Sequence, residues 1–521
     1  MISAIVAIIP IVFIFVGLVV FKKGGTTMGI LGWLLCSLLA MLFFETPLKV
    51  VAGASVYGLL KSLGISMVVL FSIFQIVFMG KLGALERITG EIKRYDFEKP
   101  ELIMLLNIGF GSFLVGIGAT PVSMLPPIMM GLGFSPLLSI ALPCLGYNPL
   151  TSFALLGIPI TLPAEYISNS ILTDTVATDV AYTLGLKVSI YLPVISTGLA
   201  IGMLYLVGKW EMVKKGLPYA IISGVVLAVT TAFFAKLMGP MIPGIFGGLA
   251  VVLALILYKK YRSGKIERKE YHSSLPLWKA LYPWITLVGF CLIVSLAVFK
   301  HIGPYEFLTT STIVHVLADR SVNLQVLSKA YFWMLISTLI SIPILKPSKK
   351  QAEEIIRTWL ARSYKPVIAA SIFFAIAFVM DWSGHTIVSG AVVLPDPTNN
   401  MNHAIGEQLS RTGPVYALLA PLLGLFGAIV AGSETPSNVM FARIQHIASK
   451  EILGAGKESY LQIMAAHSAA GGIASGITPA KIVNAAAVID EIGIEGDVIR
   501  KTLVLCTTLV VLIGVMTFFL V

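Results

Sequence analysis

Apolar residues fall in blocks of roughly 20, the length an α-helix needs to cross a hydrocarbon core of about 30 Å. The blocks are 3–21, 29–44, 64–80, 186–208, 217–238, 242–258, 280–299, 330–345, 366–380 and 502–521. Two further stretches, 101–160 and 413–480, are also apolar but are interrupted by many Gly and Pro residues. The pattern predicts an all-α polytopic membrane protein with roughly 12 to 14 embedded segments. The leading run Ile2 to Phe21 precedes its basic pair, Lys22-Lys23, rather than following one. A cleaved signal peptide has the opposite order, so this run is expected to be a retained first span.

The polar positions between the blocks carry direction. Lys and Arg collect in short runs: Lys22-Lys23, Lys214-Lys215, Lys259 to Lys269 and Lys346 to Lys350. Cytoplasmic loops have this bias. The rule places the N-terminus outside. It places the loop 81–99 (Lys81, Arg87, Lys93, Arg94, Lys99) and the loop 259–279 in the cytoplasm. These assignments agree with one another if 101–160 contains a re-entrant segment. The 259–279 loop divides the chain into an N-terminal half, 1–258, and a C-terminal half, 280–521. Each half holds one broken stretch, with a hairpin expected near 105–130 in the first and near 413–440 in the second. The polar stretch 164–183, with Glu165, Asp174 and Asp179, is expected to be an external loop or short surface helix.

Composition agrees with this picture. The chain is 57% hydrophobic and only 12% charged, and its mean hydropathy is +0.91. A soluble chain carries about 25% charged residues. The net charge of +11 is read as loop topology rather than a nucleic-acid surface. Cys36, Cys144, Cys291 and Cys506 are far apart and lie in apolar blocks. Their placement suggests small buried residues rather than a metal or redox pair. No metal site or cofactor is expected. No P-loop, HExxH or Ser/His/Asp pattern points to an enzyme.

The chemistry concentrates in the broken stretches. The first reads Gly111-Ser-Phe-Leu-Val-Gly116-Ile-Gly118-Ala-Thr120-Pro121, the second Gly427-Ala-Ile-Val-Ala-Gly432-Ser433-Glu434-Thr435-Pro436. Both have two glycines five apart and then a Thr-Pro pair. Downstream, Asn148 lies nine residues before Gly157, and His467 lies nine before Gly476. Corresponding breaks in two halves are a pointer to a transporter binding site. A broken helix frees backbone groups that membrane depth tolerates only at a wet cavity or a ligand, and its N-terminus favours an anion. Gly116, Gly118, Thr120, Asn148, Ser433, Thr435, Ser437 and Asn438 are therefore the candidate ligands of a small carboxylate. Glu434, His467 and Asp381 are the candidates for carrying a coupled proton, because ionisable groups at membrane depth mark such relays. Glycines that simply pack helices, a Glu at a loop mouth, a capping His and a solvated Asp beside interfacial Trp382 are the competing structural readings.

These stretches resemble the L-lactate permease family, a branch of the ion transporter superfamily. The likeness runs through Gly111 to Gly116, Gly131-Leu-Gly-Phe-Ser-Pro136 and Cys144 to Ile160. It continues through Ala375 to Phe378, Trp382 to Gly384, Gly432 to Asn438, Gly471-Gly472 to Pro479 and Glu495-Gly-Asp497. The resemblance implies proton-coupled symport of lactate or glycolate across the plasma membrane. It also implies two inverted repeats, each with a re-entrant hairpin, and an elevator-type motion. Three positions depart from the family pattern. Val115 stands where the family carries an acid, Gly118-Ala-Thr-Pro121 is shortened, and His467 replaces an Asn. The alternatives kept open are a sodium-coupled carrier of another organic anion, with Na⁺ in place of H⁺, and a non-transporting membrane subunit. The expected partners are the lipid bilayer and a small carboxylate, with a homodimer as an option and no nucleic acid.

Overall fold

The computed structural model describes residues 1–521 except 22, 95–96, 264–272, 451–455 and 492. The centre of the expected 259–279 loop and Lys22 lie outside the described residues. Among the described residues, nine helices are long and apolar enough to cross a membrane. They include Gly25–Leu42, Leu63–Lys81, Pro243–Ser263, Leu277–Lys300, Lys349–Asp381 and Glu495–Leu520. Shorter apolar helices cover 2–18, 136–146 and 330–345. The helix Ala177–Met238 is bent back on itself at Gly208 and Lys209, and its two arms correspond to the expected spans 186–208 and 217–238. The chain is thus a mostly helical, polytopic membrane protein with no closed barrel.

The basic connections gather on one face. Lys81 pairs with Glu354 at 3.4 Å, which joins the 81–99 loop to the helix that follows Lys346 to Lys350. Arg87 Nε donates to the Leu275 carbonyl at 3.0 Å, tying in the end of the 259–279 connection. The other face carries strands that the apolar blocks did not reveal. Strand β1 (Ile313–Leu317) pairs antiparallel with β2 (Arg320–Asn323). Strand β3 (Thr386–Val388) pairs antiparallel with β4 (Ala391–Val393). The hairpins dock through Val392, whose N–H donates to Asp319 at 2.8 Å and whose carbonyl accepts from Arg320 at 3.0 Å.

Eight α-helices of the two Gly/Pro-broken stretches, from Gly111 onward in the first, are labelled in chain order. The first stretch has α1 (Gly111–Gly116), α2 (Pro121–Gly131), α3 (Pro136–Gly146) and α4 (Ala154–Ser170). The second has α5 (Tyr416–Val430), α6 (Glu434–Ser449), α7 (Lys457–Ile473) and α8 (Pro479–Ala487). The order of elements repeats. The first break turns at Gly118 (φ +89°) and the second at Gly432 (φ +69°). Pro121 opens α2 where a missing N–H costs nothing, and Pro436 sits in the first turn of α6 for the same reason. A 3₁₀ turn then joins the third and fourth helices of each set, Asn148–Phe153 and Ala474–Gly476.

The stretches pack against each other. The 148–153 turn lies on α7, α4 lies on α6, and α8 lies on α2 and α3. Glycines allow the closest approaches: a Cβ at Gly424 of α5 would sit 2.2 Å from the His467 carbonyl oxygen of α7. Small residues have this role where helices meet inside a membrane. The sequence reading of 164–183 changes here. Residues 164–170 are the end of α4, and Glu165 is held between Lys61 at 2.9 Å and Lys329 at 3.0 Å. An acid flanked by two lysines from distant parts of the chain has no local signature.

The start of α4 is left-handed over Leu155, Leu156 and Gly157 (φ 51°, 60° and 77°). Each such L-residue costs roughly 1–2 kcal/mol, so the packing around it must impose the turn. A Cβ at Gly157 would also lie 2.4 Å from the Pro240 carbonyl oxygen. Gly157→Ala is therefore expected to lower the thermal unfolding midpoint of the detergent-solubilised protein. Gly289→Ala, in open space within a helix, should leave it unchanged or raise it, as Ala is favoured there by about 0.5–1 kcal/mol. Equal midpoints for the two variants would contradict this packing.

Candidate functional site

The site lies where the two broken stretches cross. Its geometry begins with prolines. Pro163 has no N–H, so within α4 the Pro159 carbonyl lacks its helical donor. Asn438 of α6 replaces that donor, with Nδ2 2.9 Å from the Pro159 oxygen. A reciprocal bond runs the other way. Asn148, in the turn before α4, donates from Nδ2 to the Ile473 carbonyl at the end of α7, at 3.1 Å. Each stretch thus satisfies a carbonyl that the other has freed.

Around these bonds sits a buried polar cluster. Glu434, at the N-terminus of α6, accepts at Oε1 from Ser468 Oγ (2.6 Å) and Asn438 Nδ2 (3.4 Å). Ser468 also lies 3.3 Å from Ser152 Oγ. The helix end suits a carboxylate, because the first-turn N–H groups and the dipole point toward it. Glu434 is 1% exposed, yet its Oε2 has no partner. Four more buried atoms on the crossing segments are also unpartnered: Asn148 Oδ1, Thr151 Oγ1, Thr435 Oγ1 and Asn438 Oδ1. Leaving one such group unsatisfied costs about 1–3 kcal/mol. A concentration of them marks a place built to receive something polar.

Gly471 and Gly472 of α7 make room for the cluster. A Cβ at Gly471 would sit 3.1 Å from Glu434 Cγ. A Cβ at Gly472 would sit 3.2 Å from both Glu434 Oε2 and the Asn148 carbonyl oxygen, and 3.3 Å from Thr151 Cβ. The two oxygens are therefore at most twice 3.2 Å apart, across a glycine surface.

His467 belongs to a neighbouring network. Its Nδ1 is 2.9 Å from Gln445 Nε2 and its Nε2 is 3.1 Å from Ser437 Oγ. Gln445 Nε2 also donates to the Ala420 carbonyl (3.1 Å), while Gln445 Oε1 accepts from Tyr416 (2.6 Å). That fixes the amide orientation, so His467 accepts at Nδ1 and donates at Nε2 to Ser437. Both ring nitrogens are engaged in holding α5, α6 and α7 together.

The other residues named from the sequence lie apart. Ser433 caps α6 without a side-chain bond. Gly116 packs on Gly244, and Val115 is buried in the same layer. Gly118 faces Met334, Leu155 and Ser72. Thr120 is exposed at the start of α2, a helix linked to α8 by Asn484 Nδ2 donating to Ser123 Oγ at 2.9 Å. Asp381 is bound to Arg443 of α6, with Oδ1 2.6 Å from Nε, and Arg443 also donates to the Ser170 carbonyl at 2.6 Å.

A nearly full-length match decides the family. The family model described as L-lactate permease matches residues 3–521. The chain belongs to the L-lactate permease family.

Relatives of this permease agree across its length. The glycolate permease GlcA of Escherichia coli is 24% identical, covering 99% of this chain and 95% of its own. The L-lactate permease of Bacillus subtilis is 24% identical over 99% and 96%, and that of Halalkalibacterium halodurans 25% over 100% and 97%. Among solved structures, MtrF of Neisseria gonorrhoeae aligns at 12% identity over 87% of this chain and 80% of its own, with a TM-score of 0.41, too low to carry an argument. The family is one of transporters, not enzymes, and the permease is a multi-pass integral protein of the plasma membrane.

Two groups in the permease were not singled out from the sequence. Arg443 begins a run of charged and polar residues after the apolar block and lies within α6. Lys481 follows Thr-Pro479 by two residues, and that proximity was the available signal. Two outcomes test the geometry. Gly472→Ala should reduce substrate uptake roughly tenfold, equivalent to about 1.4 kcal/mol of lost fit, with little change in unfolding midpoint. Uptake at the wild-type rate would show the glycine surface to be irrelevant. Arg443→Leu should destabilise the protein by about 2–3 kcal/mol, below the 3–5 typical of a fully buried pair because Arg443 is 30% exposed. Asp381→Asn in that background should recover part of the loss, and a double-mutant cycle on unfolding midpoints showing no coupling would disprove the pair.

Proposed function

We propose that this permease is a proton-coupled symporter of a small monocarboxylate, of the lactate and glycolate class, across the plasma membrane. The reading rests on Glu434, a buried carboxyl with an unpartnered oxygen where the two broken stretches cross, in a chain whose relatives are named for lactate and glycolate. An ionisable residue at that depth is expensive unless it does something. Thr435 presents a hydroxyl that can donate to the substrate carboxylate, and the free Oδ1 atoms of Asn148 and Asn438 accept from the 2-hydroxyl of a lactate or glycolate, while Glu434 carries the proton. Ser437 and His467 hold α6 and α7 in position rather than carrying charge. The repeated order of elements supports reading the halves as two inverted repeats, each with a re-entrant hairpin.

One observation favours a second reading. The unpartnered atoms are all oxygens (Glu434 Oε2, Asn148 Oδ1, Thr151 Oγ1, Thr435 Oγ1 and Asn438 Oδ1), the ligand type of hard cations. Coupling to Na⁺ would use the same oxygens.

Uptake of radiolabelled L-lactate or glycolate into proteoliposomes separates the two. An inward proton gradient is expected to accelerate wild-type uptake several-fold. Glu434→Gln should abolish that acceleration while retaining exchange of internal for external substrate. Uptake that ignores the pH gradient and follows a Na⁺ gradient would replace the proton reading with the second one.

A further inference from the structure

Most of the fold's shielded cations are matched to a carboxylate, and Lys481 is not. Lys61 has Glu165 at 2.9 Å, Lys187 has Glu458 at 2.9 Å, Lys259 has Glu101 at 2.8 Å, Lys329 has Glu165 at 3.0 Å and Arg443 has Asp381 at 2.6 Å. Each is a cation withdrawn from water and matched to a carboxylate, because an unmatched charge in such a place costs several kcal/mol. Lys481 is half-buried, and among the described residues no carboxylate lies within ion-pair distance of it. An ammonium has three donors. The one hydrogen bond found for Lys481 goes to Ser475 Oγ. The Tyr147 ring lies 5.8 Å from Nζ. Neither partner neutralises the charge.

Its position joins the two stretches. Tyr147 immediately precedes Asn148 in the first, and Ser475 belongs to the 3₁₀ turn of the second. A Cβ at Gly476 would lie 3.2 Å from Asn148 Nδ2, so the lysine's anchor and the candidate ligand Asn148 are neighbours. One turn along α8, Asn484 binds Ser123 of α2, so this face of α8 is turned to the first stretch. Glu434 lies beyond Asn148 in the same site: its Oε2 and the Asn148 carbonyl oxygen are each 3.2 Å from where a Cβ at Gly472 would sit.

We propose that Lys481 recognises the carboxylate of the transported substrate, donating from its ammonium to a carboxylate oxygen at the seam between Tyr147 and Ser475. The inference rests on the monocarboxylate reading above and adds the residue that selects an anion. It also gives coupling a charge balance. In the empty site, the ionised Glu434 is the distant counter-charge of Lys481. When a carboxylate binds at Lys481, a second negative charge enters the same low-dielectric space. A proton taken from solution onto Glu434 restores neutrality, so one carboxylate and one proton load together.

The test uses the purified full-length protein and reads the shift in unfolding midpoint produced by L-lactate, glycolate and the neutral analogue lactamide, alongside uptake in proteoliposomes. Wild type is expected to be stabilised by the carboxylates and not by the amide. Lys481→Gln should keep or raise the ligand-free midpoint, because it removes an unmatched charge, and should raise the apparent KM for the carboxylate at least tenfold. It should also lose the discrimination between lactate and lactamide. Lys481→Arg should restore part of both, which a purely structural role would not predict. Lys481→Gln with wild-type KM and wild-type discrimination overturns the assignment of Lys481 alone. A wild-type protein that neither binds nor transports any monocarboxylate overturns the monocarboxylate reading, and Lys481 falls with it.

Discussion

Inside a bilayer no water compensates a backbone carbonyl that loses its helical partner, and the centre of this permease is organised around that constraint. Pro163 strips a donor from the Pro159 carbonyl, and the end of α7 leaves the Ile473 carbonyl open. Asn438 and Asn148 answer these from opposite stretches. Each asparagine spends its Nδ2 on the backbone and keeps its Oδ1 free. The breaks are stable only because the two stretches cross, and the crossing is what gathers unspent oxygens around Glu434. Structural satisfaction uses one end of each amide group and leaves the other unspent.

Much of the fold was legible because lipid imposes a length. The blocks 64–80, 242–258, 280–299 and 502–521 correspond to the helices Leu63–Lys81, Pro243–Ser263, Leu277–Lys300 and Glu495–Leu520, and each has a lysine at one end or both. The extramembrane hairpins escaped the reading because strands of three to five residues are short beside a span and gain their order by docking on each other. Glu165 escaped for a related reason. Its polarity reads as surface until Lys61 and Lys329, more than 100 residues away on either side, are brought to it.

The site was legible where a polar residue interrupts an apolar block. Glu434, Asn438, Asn148 and His467 stood out in that way, and the structure brings all four to the crossing region. Sequence could not sort their roles. His467 and Ser437 are consumed by a network that reaches Tyr416 and Gln445, whereas Glu434 keeps a free oxygen. Nor could it see the small hydroxyls Thr151, Ser152, Ser468 and Ser475, which look like ordinary helix-packing residues until their partners are known. The glycines of the first break serve close packing against Gly244 and Met334, and the first stretch's contribution to the crossing comes later in the chain, from Tyr147 to Ser152.

Helix α6 links the site to its scaffold. Glu434 stands at its N-terminus and Arg443 nine residues later, about 14 Å along the axis. Arg443 binds Asp381 at the end of the Lys349–Asp381 helix and the carbonyl of Ser170 at the end of α4. Asn438, between them, binds α4 again. Two bonds at different heights therefore fasten α6 to α4, a third ties it to the 349–381 helix, and an ion pair of this kind is costly to break without replacement. The Glu434 carboxyl cannot leave the crossing by tilting α6 alone. Ser468 and His467 fasten α6 to α7, and Tyr416 fastens it to α5, so any movement of the carboxyl must carry these helices together with α4 and the end of the 349–381 helix.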